Sequence, residues 1–223
     1  MRAGPLAALA LFLSASAAHA QPVARPDVHA GDRWAFAVYD ATPTRVPSRT
    51  WVVTAVTPSG IEATENGQPL KLTPELNVLD SPRSSETNPG LLRFPLEVGK
   101  RWSYDTQWTF KQKGSSGTLA MAVEVQARER VSVAAGEFDA FRLFARGKLG
   151  GNSPSNTFYG GETTTTYWYA PAARAIVKMQ HHNPYLGKTT VELVGMGRGR
   201  WGGGMCTIGN ILRVGAPWKE CAG

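Results

Sequence analysis

Three histidines lie beyond the first twenty residues, His29, His181 and His182, and the two cysteines are Cys206 and Cys221. These side chains suit metal binding or nucleophilic chemistry, but their spacing serves neither. His181 and His182 are neighbours, so in a strand they point to opposite faces and one metal does not easily hold both. His29 stands far from them in a Pro-containing stretch. The cysteines form neither a CxxC redox pair nor a full zinc ligand set. In an oxidising compartment such an isolated pair is expected to close as a structural disulfide. No metal site and no cofactor are expected.

Motifs for other chemistries are also missing. No HExxH, no GxSxG elbow and no Ser-x-x-Lys pair occurs. A triad assembled from distant segments stays open, because triads are geometric rather than sequential. Asp105, Glu124 and Glu192 fall at outward or ambiguous strand positions. A glycosidase pair must face each other at about 5–10 Å, which spacing along a chain does not fix. Gly197-Arg198-Gly199-Arg200-Trp201-Gly202 fits GxGxxG, but Gly203-Gly204 follow and no room remains for the helix and second parallel strand that a dinucleotide needs. The same Gly/Arg tract, with Trp201, reads either as a nucleic-acid segment or as a linker to the cysteine-bearing tail; export favours the linker, and no nucleic-acid partner is expected.

The aromatic residues are more suggestive. From Arg101 to Lys111, Trp102, Tyr104, Trp108 and Phe110 share one parity, while Arg101, Ser103, Asp105, Gln107, Thr109 and Lys111 take the other. Alternate side chains of a strand point to opposite faces, so this is a sheet with one dry and one wet side. The stripe is either core or the wall of a binding concavity for an acyl chain or a sugar ring.

The elements that would position these residues are strands. Leu119, Met121, Val123 and Val125 repeat the alternation, and Arg33–Tyr39, Thr50–Thr57, Phe138–Arg146, Thr163–Ala170, Ala175–His181 and Thr189–Val194 are rich in residues that suit a pleated surface. Short turn-forming segments between them, such as Glu65-Asn66-Gly67 and Gly114-Ser115-Ser116-Gly117, favour antiparallel neighbours. A short helix fits around Pro74–Leu79. Gly31-Asp32-Arg33-Trp34-Ala35-Phe36 echoes Gly99-Lys100-Arg101-Trp102-Ser103-Tyr104, which reads as two similar units side by side in one sheet or as a chance match of a common pattern.

Compartment follows from the start of the chain. Met1-Arg2 precedes the uncharged run Leu6–Leu13, and Ala18-His19-Ala20 matches the small-x-small pattern of signal-peptide cleavage. The run is too short to span a bilayer, which needs about 20 residues. Cleavage is expected after Ala20, without a cysteine nearby to carry a lipid anchor, and no transmembrane segment follows. The remainder fits one domain. The net charge of +7 falls by one when Arg2 is removed; that balance suits anionic partners or a merely solubilising surface.

Phe94-Pro95-Leu96-Glu97-Val98-Gly99-Lys100-Arg101-Trp102-Ser103-Tyr104, Val131-Ser132-Val133-Ala134-Ala135-Gly136-Glu137-Phe138-Asp139-Ala140-Phe141 and Tyr167-Trp168-Tyr169-Ala170-Pro171 resemble three motifs, in matching order, of the TapB-like exported bacterial proteins of unknown function. The resemblance covers roughly Gly31 to Val194 and fails over the Gly-rich tail. It departs at Ala134, where such motifs often carry Pro. It implies an extracytoplasmic β domain and supplies no catalytic residues.

The expectation is a mainly β protein: a single curved antiparallel sheet forming a partly closed barrel or half-barrel, with few or no long helices. Residues 1–20 form the signal peptide, 21–30 a loose lead-in, 31–194 the β domain and 195–223 a disulfide-closed tail. The expected function is that of a non-catalytic periplasmic or secreted envelope protein. It would hold an apolar or amphipathic small molecule, or another envelope protein, against Trp102, Tyr104, Trp108 and Phe110. A structural or interaction module with a packed core is the second reading, and a hydrolase with a dispersed site the third.

Overall fold

The computed structural model describes residues 21–39, 45–152, 154, 158–183 and 187–198; the leader and both cysteines, Cys206 and Cys221, lie outside them. None of the described residues is helical. Twelve strands follow in chain order: β1 (Arg33–Tyr39), β2 (Arg45–Thr57), β3 (Gly60–Glu65), β4 (Gln68–Leu72), β5 (Val78–Asp80), β6 (Ser84–Glu86), β7 (Arg101–Phe110), β8 (Ser115–Val133), β9 (Gly136–Asn152), β10 (Phe158–Ala170), β11 (Ala175–Asn183) and β12 (Gly187–Gly197). Each pairs antiparallel with its sequence neighbours, and β1 pairs with β12. The expected antiparallel sheet therefore closes fully, which removes the exposed edges that an open sheet must protect.

The wall is uneven. β8 and β9 pair along most of their length, from Ser116↔Asn152 to Val133↔Gly136, whereas β5 and β6 meet only at Asp80↔Ser85. A bulge between Val125 and Ala127 shifts the β8 register. Past it the buried parity of β9 changes: Phe138 and Ala140 join one hydrophobic cluster with Trp34, Val53 and Leu193, while Phe141, Leu143 and Ala145 join a second with Trp102, Met121 and Val125. Ala140 and Phe141 are adjacent and both without exposed surface, so this strand is buried on its two faces.

Instead of the short helix, residues 74–77 form a turn, and Val78 and Leu79 already belong to β5. The Thr73 hydroxyl accepts the N–H groups of Glu75 and Asn77 at 3.2 Å each, diverting donors that a helix would need, and Leu76 takes a left-handed φ of 70°.

The sequence echo has a structural counterpart. Gly31 and Gly99 both adopt φ 90°. Gly31 N–H donates to Val53 O at 2.8 Å, as Gly99 N–H does to Val125 O. Val53 N–H returns to Asp32 O at 2.8 Å, and Val125 N–H to Lys100 O at 2.9 Å. The two units are not side by side: β1 and β7 stand on opposite sides of the ring, each opening one six-strand half.

Candidate functional site

The four stripe residues share a strand face but not a fate. Trp102 and Trp108 are packed, at 9% and 4% exposure, and Phe110, at 38%, lies at the wet end of β7 with its ring 4.8 Å from that of Trp108. Trp102 is tied by its indole N–H to Gly90 O at 2.8 Å. Trp108 stands directly opposite Gly117 on β8, and its ring lies against Gly151 on β9, which leaves it room. Tyr104, half-buried, is the member that borders an open cleft.

The cleft encloses about 430 Å³. Tyr104, Leu79 and Pro89 give it apolar surface, and Asn88, Arg93 and Asp105 line it with polar groups. It lies where the wall is least paired, near the β5–β6 seam. Its loop wall is held from several directions. Asn77 Nδ2 donates to Leu92 O at 2.9 Å and its Oδ1 accepts Leu92 N–H at 2.7 Å. Lys100 Nζ donates to Arg93 O and Pro95 O at 2.6 and 2.7 Å. A loop pinned in this way is preorganised, so a guest would cost little further ordering.

Glu86 was not singled out by its sequence context. It faces Trp108 across the β6–β7 ladder, on the face of the stripe. Burial pushes its carboxyl up to about 7, and among the described residues no hydrogen bond or ion pair holds it. Burial, then Tyr167 and then Glu86 raise the Tyr104 phenol beyond the ordinary tyrosine range. Burial pushes Tyr167 up to about 12, Thr165 opposing and Glu86 adding to the shift. β6 is only three residues long, too short for its alternation to register in the sequence.

The remaining candidates do not converge on the cleft. His181 Nδ1 lies 2.7 Å from Thr165 Oγ1, burial and then His182 lower its pKa, and His182 is exposed. The pair occupies opposite faces, as the strand period requires. His29 lies 3.5 Å from Asp27 in the lead-in. Glu124 pairs with Arg101, and Glu192 with Lys178 at 2.8 Å. Of the carboxylates singled out, only Asp105 borders the cleft. Among the described residues, no three His, Cys, Asp or Glu side chains gather as metal ligands would.

No family model matches the chain, and no curated protein does. Solved structures do. One is described as a candidate exported protein with a YmcC-like fold from Bacteroides fragilis NCTC 9343, with TM-score 0.51 and 14% identity, covering 80% of this chain and 100% of that one. Another, described as a candidate lipoprotein from Parabacteroides distasonis ATCC 8503, matches with TM-score 0.51 and 15% identity over 79% of this chain and 100% of that one. At such identities the likeness is one of fold: this chain has the YmcC-like architecture.

Proposed function

We propose that this is an exported, non-catalytic envelope protein of the TapB-like kind that holds an amphipathic small molecule in the cleft beside Tyr104. The cleft carries the reading. Its size falls in the usual range for small-molecule sites, about 300–1,000 Å³, and it joins an aromatic ring to a polar rim of Asn88, Arg93 and Asp105. The polar rim suits a sugar ring or a polar headgroup better than a bare acyl chain. Export is supported by the leader pattern of residues 1–20 and by the description of a solved neighbour as an exported protein. The packing of Trp102 and Trp108 favours, as a second reading, an interaction module with a filled core.

Native mass spectrometry of protein purified from its own envelope fraction tests both parts. The expected spectrum shows a chain beginning at Gln21 with a small molecule bound, and loss of that molecule in Tyr104→Ala. Bare protein in every preparation would leave the interaction-module reading, and retention of residues 1–20 would overturn export.

A further inference from the structure

Strand β7 outruns its neighbour. β6 covers only Trp108, Thr109 and Phe110. Thr87 adds one further exchange: its N–H donates to Gln107 O at 3.0 Å, and Gln107 N–H donates to Thr87 Oγ1 at 3.2 Å. The chain then leaves the wall. Asn88 N–H reaches Thr106 Oγ1 at 3.4 Å, and Gly90 O takes the indole N–H of Trp102. Backbone groups of a strand alternate sides, so the N–H and C=O of Ser103 and Asp105 lie on the same side as those of Gln107, away from β8. Both residues are exposed, and among the described residues no strand pairs with them on that side.

Across the gap stands β5. It meets β6 only at Asp80↔Ser85, and its Leu79 lines the Tyr104 cleft together with Tyr104 and Asp105 of β7. The cleft thus lies between two strands that lack the one between them, with Pro89 and Gly90 also lining it. We propose that the guest of this cleft is a short peptide that enters as an extended strand, in line with β6 and antiparallel to β7. This rests on the reading of the cleft as a ligand site and names the ligand class. Strand addition takes its affinity from main-chain hydrogen bonds and its selectivity from alternate side chains. The peptide lies opposite Asp105, Tyr104 and Ser103 in turn. Its first and third residues exchange N–H···O bonds with Asp105 and Ser103. Its middle side chain falls on the face of Tyr104, where Leu79 favours an apolar residue. The first side chain stands opposite the exposed Asp105, and a cation there forms a cross-strand pair.

The probe is acetyl-Lys-Leu-Thr-amide, titrated to millimolar concentration into the exported protein and followed by amide hydrogen exchange. The Ser103 and Asp105 amides should exchange fast in the free protein, and saturation should slow both at least tenfold. N-methylation of the peptide at Lys and Thr removes the donors to Asp105 O and Ser103 O and should weaken binding at least tenfold. Ser103→Pro should weaken it as much, since it deletes an N–H that faces the gap and none that faces β8. Should that variant fail to fold, the methylated peptide decides alone. Slow exchange at Ser103 and Asp105 in the free protein would mean that the chain itself fills the gap, and overturns the proposal. So does the absence of saturable binding, or binding indifferent to N-methylation. If the peptide fails while native mass spectrometry still shows a bound molecule that Tyr104→Ala loses, the cleft stands as a ligand site and the peptide is rejected.

Discussion

Trp34 and Trp102 hold equivalent places on opposite sides of the barrel, each donating its indole N–H at 2.8 Å to a backbone carbonyl, of Ala173 and Gly90 respectively. Each follows a glycine of φ 90° by three residues, and each glycine opens the same two-way exchange with a valine, Val53 or Val125. The two tryptophans do different work within this common frame. Trp34 joins the first strand to the turn between β10 and β11, across 139 residues of chain, and so helps to close the ring. Trp102 pins the loop that walls the Tyr104 cleft.

Removing either indole N–H leaves a carbonyl without its donor, which costs about 1–3 kcal/mol when that carbonyl is buried. Ala173 is buried and Gly90 only half-buried, so water compensates better at Gly90. Trp34→Phe is therefore expected to lower the free energy of unfolding in urea more than Trp102→Phe does. Trp102→Phe should in turn loosen residues 88–93, seen as faster amide exchange there. Equal losses with no local change in exchange would contradict this division of roles.

The alternation that runs from Trp102 to Phe110 makes β7 legible from sequence, and Leu119 to Val125 does the same for the first half of β8. The closing pair β1–β12 is not legible: it joins residues such as Arg33 and Gly197 that no local pattern connects. The switch between Ala140 and Phe141 is equally hidden, because it follows from a bulge on the neighbouring strand. At the site, Tyr104 belongs to a visible stripe, but which of its members meets solvent depends on the loop folded over Trp102. Glu86 gains its importance from burial and a cross-strand neighbour, Trp108, which composition does not encode.

Asp32 is 1% exposed and gathers three segments: it accepts the His29 N–H at 2.9 Å, both outer nitrogens of Arg174 at 2.6 and 3.0 Å, and Arg198 Nε at 3.1 Å. Burial alone would raise its pKa, but the His29 N–H and the two arginines outweigh that and hold it below the ordinary 3.8. A lowered carboxyl stabilises the fold above its unfolded pKa and ceases to do so as pH falls through the folded one. Asp32→Asn is expected to cost about 3 kcal/mol at pH 7, since it strips the charge from a mostly buried Arg174. The gap between wild type and variant in urea unfolding should shrink as pH falls below about 3.8. A gap independent of pH would rule out the ion pair as its source.

Glu86 carries the opposite sign. Its folded pKa, about 7, lies above the ordinary 4.5, so between those values the folded protein binds the proton that the unfolded chain has lost. Stability from this group is complete below about pH 4.5, declines as pH rises to about 7, and is level above that. Glu86→Gln keeps the shape and removes the charge. It should stabilise the protein at pH 8 by about 2 kcal/mol, allowing for partial solvation, and change little at pH 4.5. The measurement is the pH profile of the melting temperature for the two proteins. Parallel profiles would place the Glu86 carboxylate in water.

Trp108 is packed where a glycine makes way for it, Gly151 on β9. Gly117 faces it on β8, and Gly151 follows in register on β9. A Cβ on Gly151 would stand 2.6 Å from Trp108 Cζ2 and 2.5 Å from the Ser116 carbonyl oxygen, so either the indole or the β8–β9 ladder must shift. Overpacking of this kind costs about 1–3 kcal/mol. By contrast, Gly99 has open space where a Cβ would go, and Gly99→Ala should cost about 1–2 kcal/mol through its φ of 90° alone. The two obstacles to Gly151→Ala separate in a double-mutant cycle. If the indole is the harder one, Gly151→Ala costs markedly less in a Trp108→Leu background, with a coupling above about 0.5 kcal/mol. Additive costs would mean that the Ser116 carbonyl alone sets the limit.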